Sequence, residues 1–297
     1  MKARLLTISL LLLAAVSCID KDPSWNITWG TGDPGGTDPY TEPKPHTDPD
    51  PPSGTDPKDV EILQAFTQDF KTADTAPMEL SVRQSSPDFR YFSGFPSLSE
   101  NDTDILLLRL DPADKPSGCP CLTASGYTFY GSYSIRVKTP DLSLVKQTTD
   151  AQFEFSLTGD DTEAGVSGIG MKWSLSNPMK MTLTTLCGSP ASQSGNSVAA
   201  QVPSGCSPSA KFLVCGWDWA PEYVRWWVQD PGTKERKVLL EITAGGEVPE
   251  LPGRLSIRVY HTSDAPEYPF ETEIDRISYE PYQDHIQAWR DKYFGEK

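Results

Sequence analysis

The residues of this chain that could carry out acid–base chemistry lie around residues 150–175. Glu154 falls in a segment of strand character, and Asp160, Asp161 and Glu163 follow it in a loop. Two carboxylates can share such chemistry, one as a nucleophile and one as a general acid. Acidic residues in a turn are more commonly solvated than catalytic, so this arrangement stays an alternative interpretation.

The segment that follows this loop, residues 168–173, carries no acid. Side chains alternate along a strand, so Gly168, Gly170 and Lys172 share one face. The apolar residues between them are predicted to face the core. Because glycine offers no side chain and lysine has the opposite charge, this face lacks the groups that two-carboxylate catalysis requires.

Other chemistries have less support. Cys119 and Cys121 form one closely spaced pair, without the second pair or nearby histidine that a zinc site requires. His261 and His285 have no metal-ligand spacing to each other, and His46 falls in a proline-rich segment. The formal net charge of −15 disfavours nucleic-acid binding, which needs a basic surface. We therefore expect no metal, no cofactor and no nucleic-acid partner.

The elements that must position any site are short strands. Runs with period-two alternation, separated by Gly, Pro, Asp and Ser, predict an all-β fold, a two-sheet antiparallel sandwich or jelly roll. The runs are residues 105–110, 133–138, 168–173, 179–186, 212–219, 223–228, 238–242, 255–260 and 273–279. One short C-terminal helix is predicted over residues 283–294, with an apolar stripe of Ile286, Trp289, Tyr293 and Phe294.

Four tryptophans fall in two of these strands: Trp217, Trp219, Trp226 and Trp227. Large aromatic side chains dominate protein cores, so we interpret them as core residues rather than ligand platforms. Trp226 and Trp227 are neighbours, however, and alternation requires that one of the two point away from the core.

Several segments resemble, in order, the strands of glycoside hydrolase family 16, the β-jelly-roll glucanases and laminarinases. Residues 129–140 are similar to the family's Tyr-Gly-x-Tyr-Glu-x-Arg-x-Lys strand, with Ser134 at the glutamate. Residues 217–226 are similar to its Asp/Glu-Trp-x-Pro hairpin, and residues 252–260 to the strand that ends in a groove tryptophan. The resemblance covers about residues 105–279 and implies a concanavalin A-like sandwich with a sugar-binding groove.

The resemblance also implies which residues face that groove. The family carries Glu-x-Asp-x-Glu where this chain has Gly168, Gly170 and Lys172, so the catalytic motif is degenerate and the expected class leans away from an enzyme. Tyr260 takes the place of the family's groove tryptophan. The residues expected to contact a ligand are Arg136, Lys172, Thr182, Thr184, Ser256, Arg258 and Tyr260.

The N-terminal residues indicate export. Residues 1–18 read as a lipoprotein signal peptide, with a short apolar run and small residues before Cys18, which resembles a lipobox cysteine. Residues 19–59, rich in Pro, Asp and Thr, predict a disordered stalk, and residues 60–297 form the jelly-roll domain. An outer membrane lipoprotein exposed at the cell surface is expected. Five further cysteines leave the disulfide pairing open, although Cys187 and Cys206 flank an insertion and could pair.

These observations favour a surface-anchored lipoprotein whose glucanase-like domain binds a polysaccharide or oligosaccharide without cleaving it. With Lys172 and Arg258 in the groove, an anionic sugar is one form of that ligand. Two alternatives stay open. One is an active hydrolase that uses displaced carboxylates, and the other is a structural or protein-binding module that kept only the fold.

Overall fold

The computed structural model describes residues 61–70, 76–81, 91–92, 105–114, 119–144, 149–159, 167–189, 192–243 and 247–294. The predicted signal peptide, Cys18 and the predicted stalk lie outside these residues. So do the loop acids Asp160, Asp161 and Glu163. Those interpretations therefore stay predictions.

The described residues form strands and one helix. In chain order they are β1 (Phe66–Gln68), β2 (Met78–Ser81), β3 (Tyr91–Phe92), β4 (Ile105–Leu110), β5 (Cys121–Ala124), β6 (Gly131–Lys138), β7 (Gln152–Thr158), β8 (Gly168–Ser174), β9 (Lys180–Ser189), β10 (Ser192–Gln201), β11 (Leu213–Ala220), β12 (Tyr223–Gln229), β13 (Arg236–Thr243), β14 (Arg254–Tyr260), β15 (Phe270–Pro281) and α1 (Gln283–Phe294).

The strands make two antiparallel sheets. The larger sheet has the order β13-β12-β11-β6-β15-β4-β3, with β1 also pairing with β15, and the smaller sheet has the order β10-β9-β8-β7-β14-β5-β2. Alternating burial along β6 and β14 shows one face of each sheet turned to the core and one turned outward. The predicted all-β sandwich of the jelly-roll type is confirmed.

Aromatic side chains fill the space between the sheets. Phe155 of the smaller sheet lies against Trp217 of the larger, with ring centroids 4.5 Å apart. Trp217, Trp219 and Trp226 are fully buried and belong to the core cluster. Each buried aromatic removes a large apolar area from water, so these rings hold the two sheets together.

Trp227 is buried by a different arrangement. A register shift separates it from Trp226, because Trp226 pairs with Leu240 whereas Trp227 pairs with Val238. The guanidinium of Arg236 lies 3.9 Å from the centre of the Trp227 ring, and the residue stays 2% exposed. Trp227 thus lies outside the core cluster, beneath a cation, as alternation along β12 predicts.

The helix α1 closes one end of the sandwich. Ile286 and Trp289 of the predicted stripe are buried, and the Trp289 ring meets Phe129 edge-on at 4.9 Å. Asp284 in the first turn and Lys292 in the last turn complement the helix dipole. Within the described parts of the chain, no helix is both long and apolar enough to cross a membrane.

The insertion between Cys187 and Cys206 differs from expectation. It forms β10, whose ten residues pair with β9 in one continuous ladder. Cys187 and Cys206 are both free thiols, so the suggested pair is not formed. Backbone hydrogen bonds hold the insertion instead, and burial raises the pKa of Cys187 to about 11, which keeps it in the thiol form.

Candidate functional site

The outer face of the smaller sheet brings most of the predicted ligand-binding residues together. Lys172 on β8 lies opposite Thr182 on β9 and opposite Glu154 on β7. Glu154 in turn lies opposite Arg258 on β14. Residues opposite one another on neighbouring strands have Cβ atoms about 5 Å apart, so these four side chains form one charged row across the sheet.

A second row, next to the first, consists of small polar residues. Gly170 lies between Thr184 and Ser156, and Ser156 lies opposite Ser256. On the other side of the charged row, Tyr260 lies opposite Gln152. The outer face therefore offers hydroxyl groups, a charged row and an aromatic residue in succession.

The middle of this face is recessed. The side chains of Glu154 and Arg258 are only 13% and 12% exposed, although they lie on the outer side of the sheet. Ser156 is 7% exposed. On the edge strand β10, by contrast, Ser197 and Ala199 are exposed. The difference indicates a groove whose floor is formed by β7, β8 and β14.

Glu154 and Arg258 form an ion pair in this floor. The Glu154 Oε2 atom accepts hydrogen bonds from Arg258 Nη2 at 2.7 Å and from Arg258 Nε at 3.1 Å. The same guanidinium lies 4.3 Å from the centre of the Tyr260 ring. The Tyr260 hydroxyl donates to Gln152 Oε1 at 3.2 Å. Burial raises the pKa of Tyr260, with a further contribution from the negative charge of Glu154, so its hydroxyl remains a donor.

This ion pair corrects one expectation about charge. The sequence predicts two cations beside Tyr260, but the carboxylate of Glu154 neutralises Arg258. Lys172 makes no ion pair or hydrogen bond with the described residues. The charged row therefore carries one unpaired positive charge. The sequence predicts Glu154 on the strand before β8. Its pairing with Arg258 depends on the order of strands in the sheet.

Arg136 does not belong to this face. It lies on β6 of the larger sheet, where its Nη1 atom is 2.9 Å from the buried carboxylate of Asp275. Its guanidinium also lies 4.4 Å from the centre of the Phe212 ring. The prediction that Arg136 lines the same groove is wrong, because alternation along a strand gives the face of a residue but not the sheet that the strand joins.

The two glycines of β8 differ in the space around them. An added Cβ at Gly168 would lie 3.4 Å from its nearest neighbours, which is ordinary contact. At Gly170 it would lie 2.9 Å from Thr184 Oγ1, the end of a rotatable side chain. From beneath, the Trp226 indole donates a hydrogen bond to the Gly170 carbonyl oxygen at 3.1 Å. This hydrogen bond fixes the groove floor at β8 from the core side.

Acidic residues are sparse on this face. Among the described strands of the smaller sheet, the acidic residues are Glu154 on β7 and Glu79 on β2. Glu79 lies on β2, three strands from β7 in the sheet order, a backbone separation of about 14 Å at ~4.8 Å per strand. No group of three His, Cys, Asp or Glu within the described residues could hold a metal ion.

A loop at the end of the groove is anchored by Asp150, just before β7. Its carboxylate accepts hydrogen bonds from the backbone N–H groups of Thr262 at 3.0 Å and Ser263 at 2.9 Å, and from both hydroxyls. Burial alone would raise the pKa of Asp150, but these hydrogen bonds lower it to about 2. The loop that follows Tyr260 is thereby tied to the strand that carries Glu154.

Solved structures with a similar fold include several glucanases. They include a beta-glucanase from Bacillus licheniformis, a prokaryotic beta-1,3-1,4-glucanase (lichenase) derived from a mouse hindgut metagenome, and a glycoside hydrolase family 16 endo-glucanase from Bacteroides ovatus. Their identities to this chain are 13%, 16% and 11%, each with a TM-score of 0.52. The alignments cover 74%, 74% and 72% of this chain and 99%, 100% and 99% of theirs.

No protein-family model matches the chain, and no curated protein sequence matches it. The structural likeness establishes the class of the fold: the domain is a jelly roll of the glycoside hydrolase family 16 type. At these identities a shared fold leaves the activity open, because one fold can carry many functions.

Proposed function

We propose that the outer face of the smaller sheet binds a polysaccharide or oligosaccharide chain and does not cleave it. The observation that carries this proposal is the recessed row of Lys172, Glu154 and Arg258. This row offers hydrogen-bonding groups that suit a sugar. On the described strands beside β8, it contains one carboxylate and not the pair that cleavage requires.

The chemistry of the face suits a carbohydrate. Sugar hydroxyls both donate and accept hydrogen bonds, and Thr182, Thr184, Ser256 and Gln152 offer side chains of both kinds. Tyr260 supplies an aromatic ring whose hydroxyl is already oriented by Gln152. Side chains held by one another before binding lose less entropy when a ligand arrives, which favours affinity.

Hydrolysis needs groups that the described face lacks. A retaining glycosidase places two carboxyl groups ~5–5.5 Å apart, and an inverting one ~6.5–9.5 Å apart. The Glu154 carboxylate is held by Arg258 at 2.7 Å, so it is already engaged in an ion pair. The backbone of Glu79 is three strands away. Neither of the strands that flank β7, which are β8 and β14, carries an acidic residue.

The unpaired ammonium of Lys172 favours a ligand that carries negative charge, such as a sulfated or uronic sugar. A charge-assisted hydrogen bond is stronger than a neutral one. With Arg258 neutralised, this preference rests on Lys172 alone. We further propose that Cys18 anchors the protein in the outer membrane, with the domain displayed at the cell surface, on the strength of the lipobox-like sequence.

Calorimetric titration with neutral and sulfated oligosaccharides tests the binding. Tyr260→Ala should weaken binding by ~1–2 kcal/mol, since an interface aromatic of this kind is commonly worth that much. Lys172→Glu should weaken an anionic ligand further and in a salt-dependent way. Matched controls are Tyr268→Ala and Lys211→Glu, two exposed positions outside the groove strands. Equal affinity of all variants would place the ligand elsewhere, and no binding to any glycan would favour the structural module.

Chromatography of reaction products tests the lack of cleavage. The purified protein should release no oligosaccharide from β-glucans, laminarin or sulfated galactans. Release that disappears in Glu154→Gln, or in a variant of the loop acids Asp160, Asp161 and Glu163, would instead establish a hydrolase with displaced carboxylates.

A further inference from the structure

The strand β10 is an unprotected edge. Its ten residues, Ser192–Gln201, all pair with β9, and no described strand lies on its other side. The N–H and C=O groups of alternate residues therefore point outward from the sheet. Such a row is the natural template for another β-strand, because only an extended backbone matches its spacing of donors and acceptors.

Edge strands commonly carry charges, proline or bulges that prevent pairing with another chain. β10 has neither a charged residue nor a proline in its entire length. The edge of the larger sheet at the same end, β13, differs. It carries Arg236, Lys237 and Glu241, and a register shift interrupts its ladder with β12. Of the two neighbouring edges, β13 is protected against pairing and β10 is not.

Exposed apolar residues mark the same end of the sandwich. Four large apolar side chains are exposed among the described residues, and two of them are Val198 on β10, 37% exposed, and Val238 on β13, 55% exposed. The other two, Leu144 and Tyr268, lie outside the strands. β10 and β13 contact each other, so the two valines belong to one end of the molecule.

We propose that β10 pairs antiparallel with β10 of a second copy of this chain. The occupant must be an extended strand, because backbone groups are what the edge presents. It must also approach a chain whose formal net charge is −15, so the contact has to be free of like charges. β10 is itself such a strand, since none of its own ten residues is charged.

This pairing has a defined geometry. The two-fold axis of an antiparallel pair of identical strands runs perpendicular to the sheet, so both outer faces lie on the same side. The smaller sheets of the two copies then form one continuous sheet. Ser197 and Ala199 of each copy lie at the seam, in register with Thr184 and Thr182 of β9. This pairing follows from the exposed backbone of β10 and does not depend on a ligand in the groove.

Sedimentation velocity tests the pairing. The sample is the full-length chain carrying Cys18→Ser, which removes the predicted acyl anchor, over a wide concentration range. The expected result is a dimer that dissociates on dilution. Ser197→Lys together with Ala199→Lys should raise the dissociation constant about tenfold or more, because like charges would face each other across the strand pair.

The matched control adds two positive charges at exposed positions away from β10, as Leu144→Lys with Tyr268→Lys, and should leave the dimer intact. Hydrogen–deuterium exchange supplies the second readout: alternate amides of β10 should gain protection as the concentration rises. A monomer at all concentrations overturns the proposal. So does a dimer in which β10 gains no protection, or one that both double variants weaken equally. Protection of β10 in a monomer would assign the edge to another segment of the same chain.

Discussion

The ion pair in the groove floor should contribute more to stability than an exposed pair of the same geometry. Replacing Arg258 with Met removes the guanidinium and keeps the apolar stem, which leaves the Glu154 carboxylate only 13% exposed and without its cation. Exposed pairs contribute ~0.2–1 kcal/mol, whereas breaking a fully buried pair costs ~3–5 kcal/mol. With partners 12–13% exposed, we expect Arg258→Met to lower the free energy of unfolding by ~2 kcal/mol.

A double-mutant cycle isolates the pair from other effects of the substitutions. Glu154→Gln keeps an acceptor of the same shape, so it should cost only ~1 kcal/mol. The double variant should be about as stable as Arg258→Met alone, which gives a coupling energy of ~1 kcal/mol. Part of the stability lost in Arg258→Met comes from the lost contact with Tyr260. The cycle cancels that part, because Arg258→Met loses the same contact whether residue 154 is Glu or Gln.

The chain offers a matched control on its other sheet. Arg225 and Glu241 approach to 2.6 Å, nearly the same distance, but their side chains are 39% and 37% exposed. The same cycle with Arg225→Met and Glu241→Gln should give a coupling of no more than ~0.5 kcal/mol. Urea denaturation at neutral pH measures both. Equal coupling energies in the two cycles would refute the claim that the groove recess strengthens the pair.

Three further predictions concern other parts of the chain. Asp150 has a folded-state pKa of about 2 against an ordinary value of 3.8, so its hydrogen bonds stabilise the fold above about pH 4 and are lost as the pH falls towards 2. Asp150→Asn should therefore flatten the dependence of unfolding free energy on pH in that window by about 1 kcal/mol, and an unchanged acid limb would contradict this. Gly195→Ala should destabilise by ~2 kcal/mol in urea, because its Cβ would overlap the carbonyl oxygen of Thr185, while Gly168→Ala should change stability by less than ~0.5 kcal/mol. Cys18→Ser should abolish lipid labelling and leave soluble protein or an unprocessed precursor; a processed, labelled variant would exclude the anchor.

Much of the fold could be predicted from the sequence because its strands have one apolar and one polar face. β4, with bounds Ile105–Leu110, and the helix Gln283–Phe294 have the bounds that the pattern predicts. β10 was missed because its residues are small and polar, with no apolar alternation. Its strand character comes from pairing with β9, which local sequence does not encode.

The composition of the candidate site was only partly predictable. Alternation placed Lys172, Arg258 and Tyr260 on one face, because it is a local property of each strand. The pairing of Arg258 with Glu154 joins residues 104 positions apart, and it depends on β7 and β14 being neighbours in the sheet. The same dependence on strand order explains the misplacement of Arg136, whose strand joins the larger sheet.

The hydrogen bond from the Trp226 indole to the Gly170 carbonyl joins the two sheets by a directional contact as well as by apolar packing. Its donor lies on β12 and its acceptor on β8, the strand at the bottom of the groove. Substitutions that never touch a ligand, such as Trp226→Phe, would free that carbonyl and let β8 shift, so affinity should be sensitive to the core of the opposite sheet. Conversely, a ligand that immobilises β8 should slow the local unfolding of β12. Hydrogen exchange at the β12 amides, on the opposite sheet, would then report occupancy of the groove.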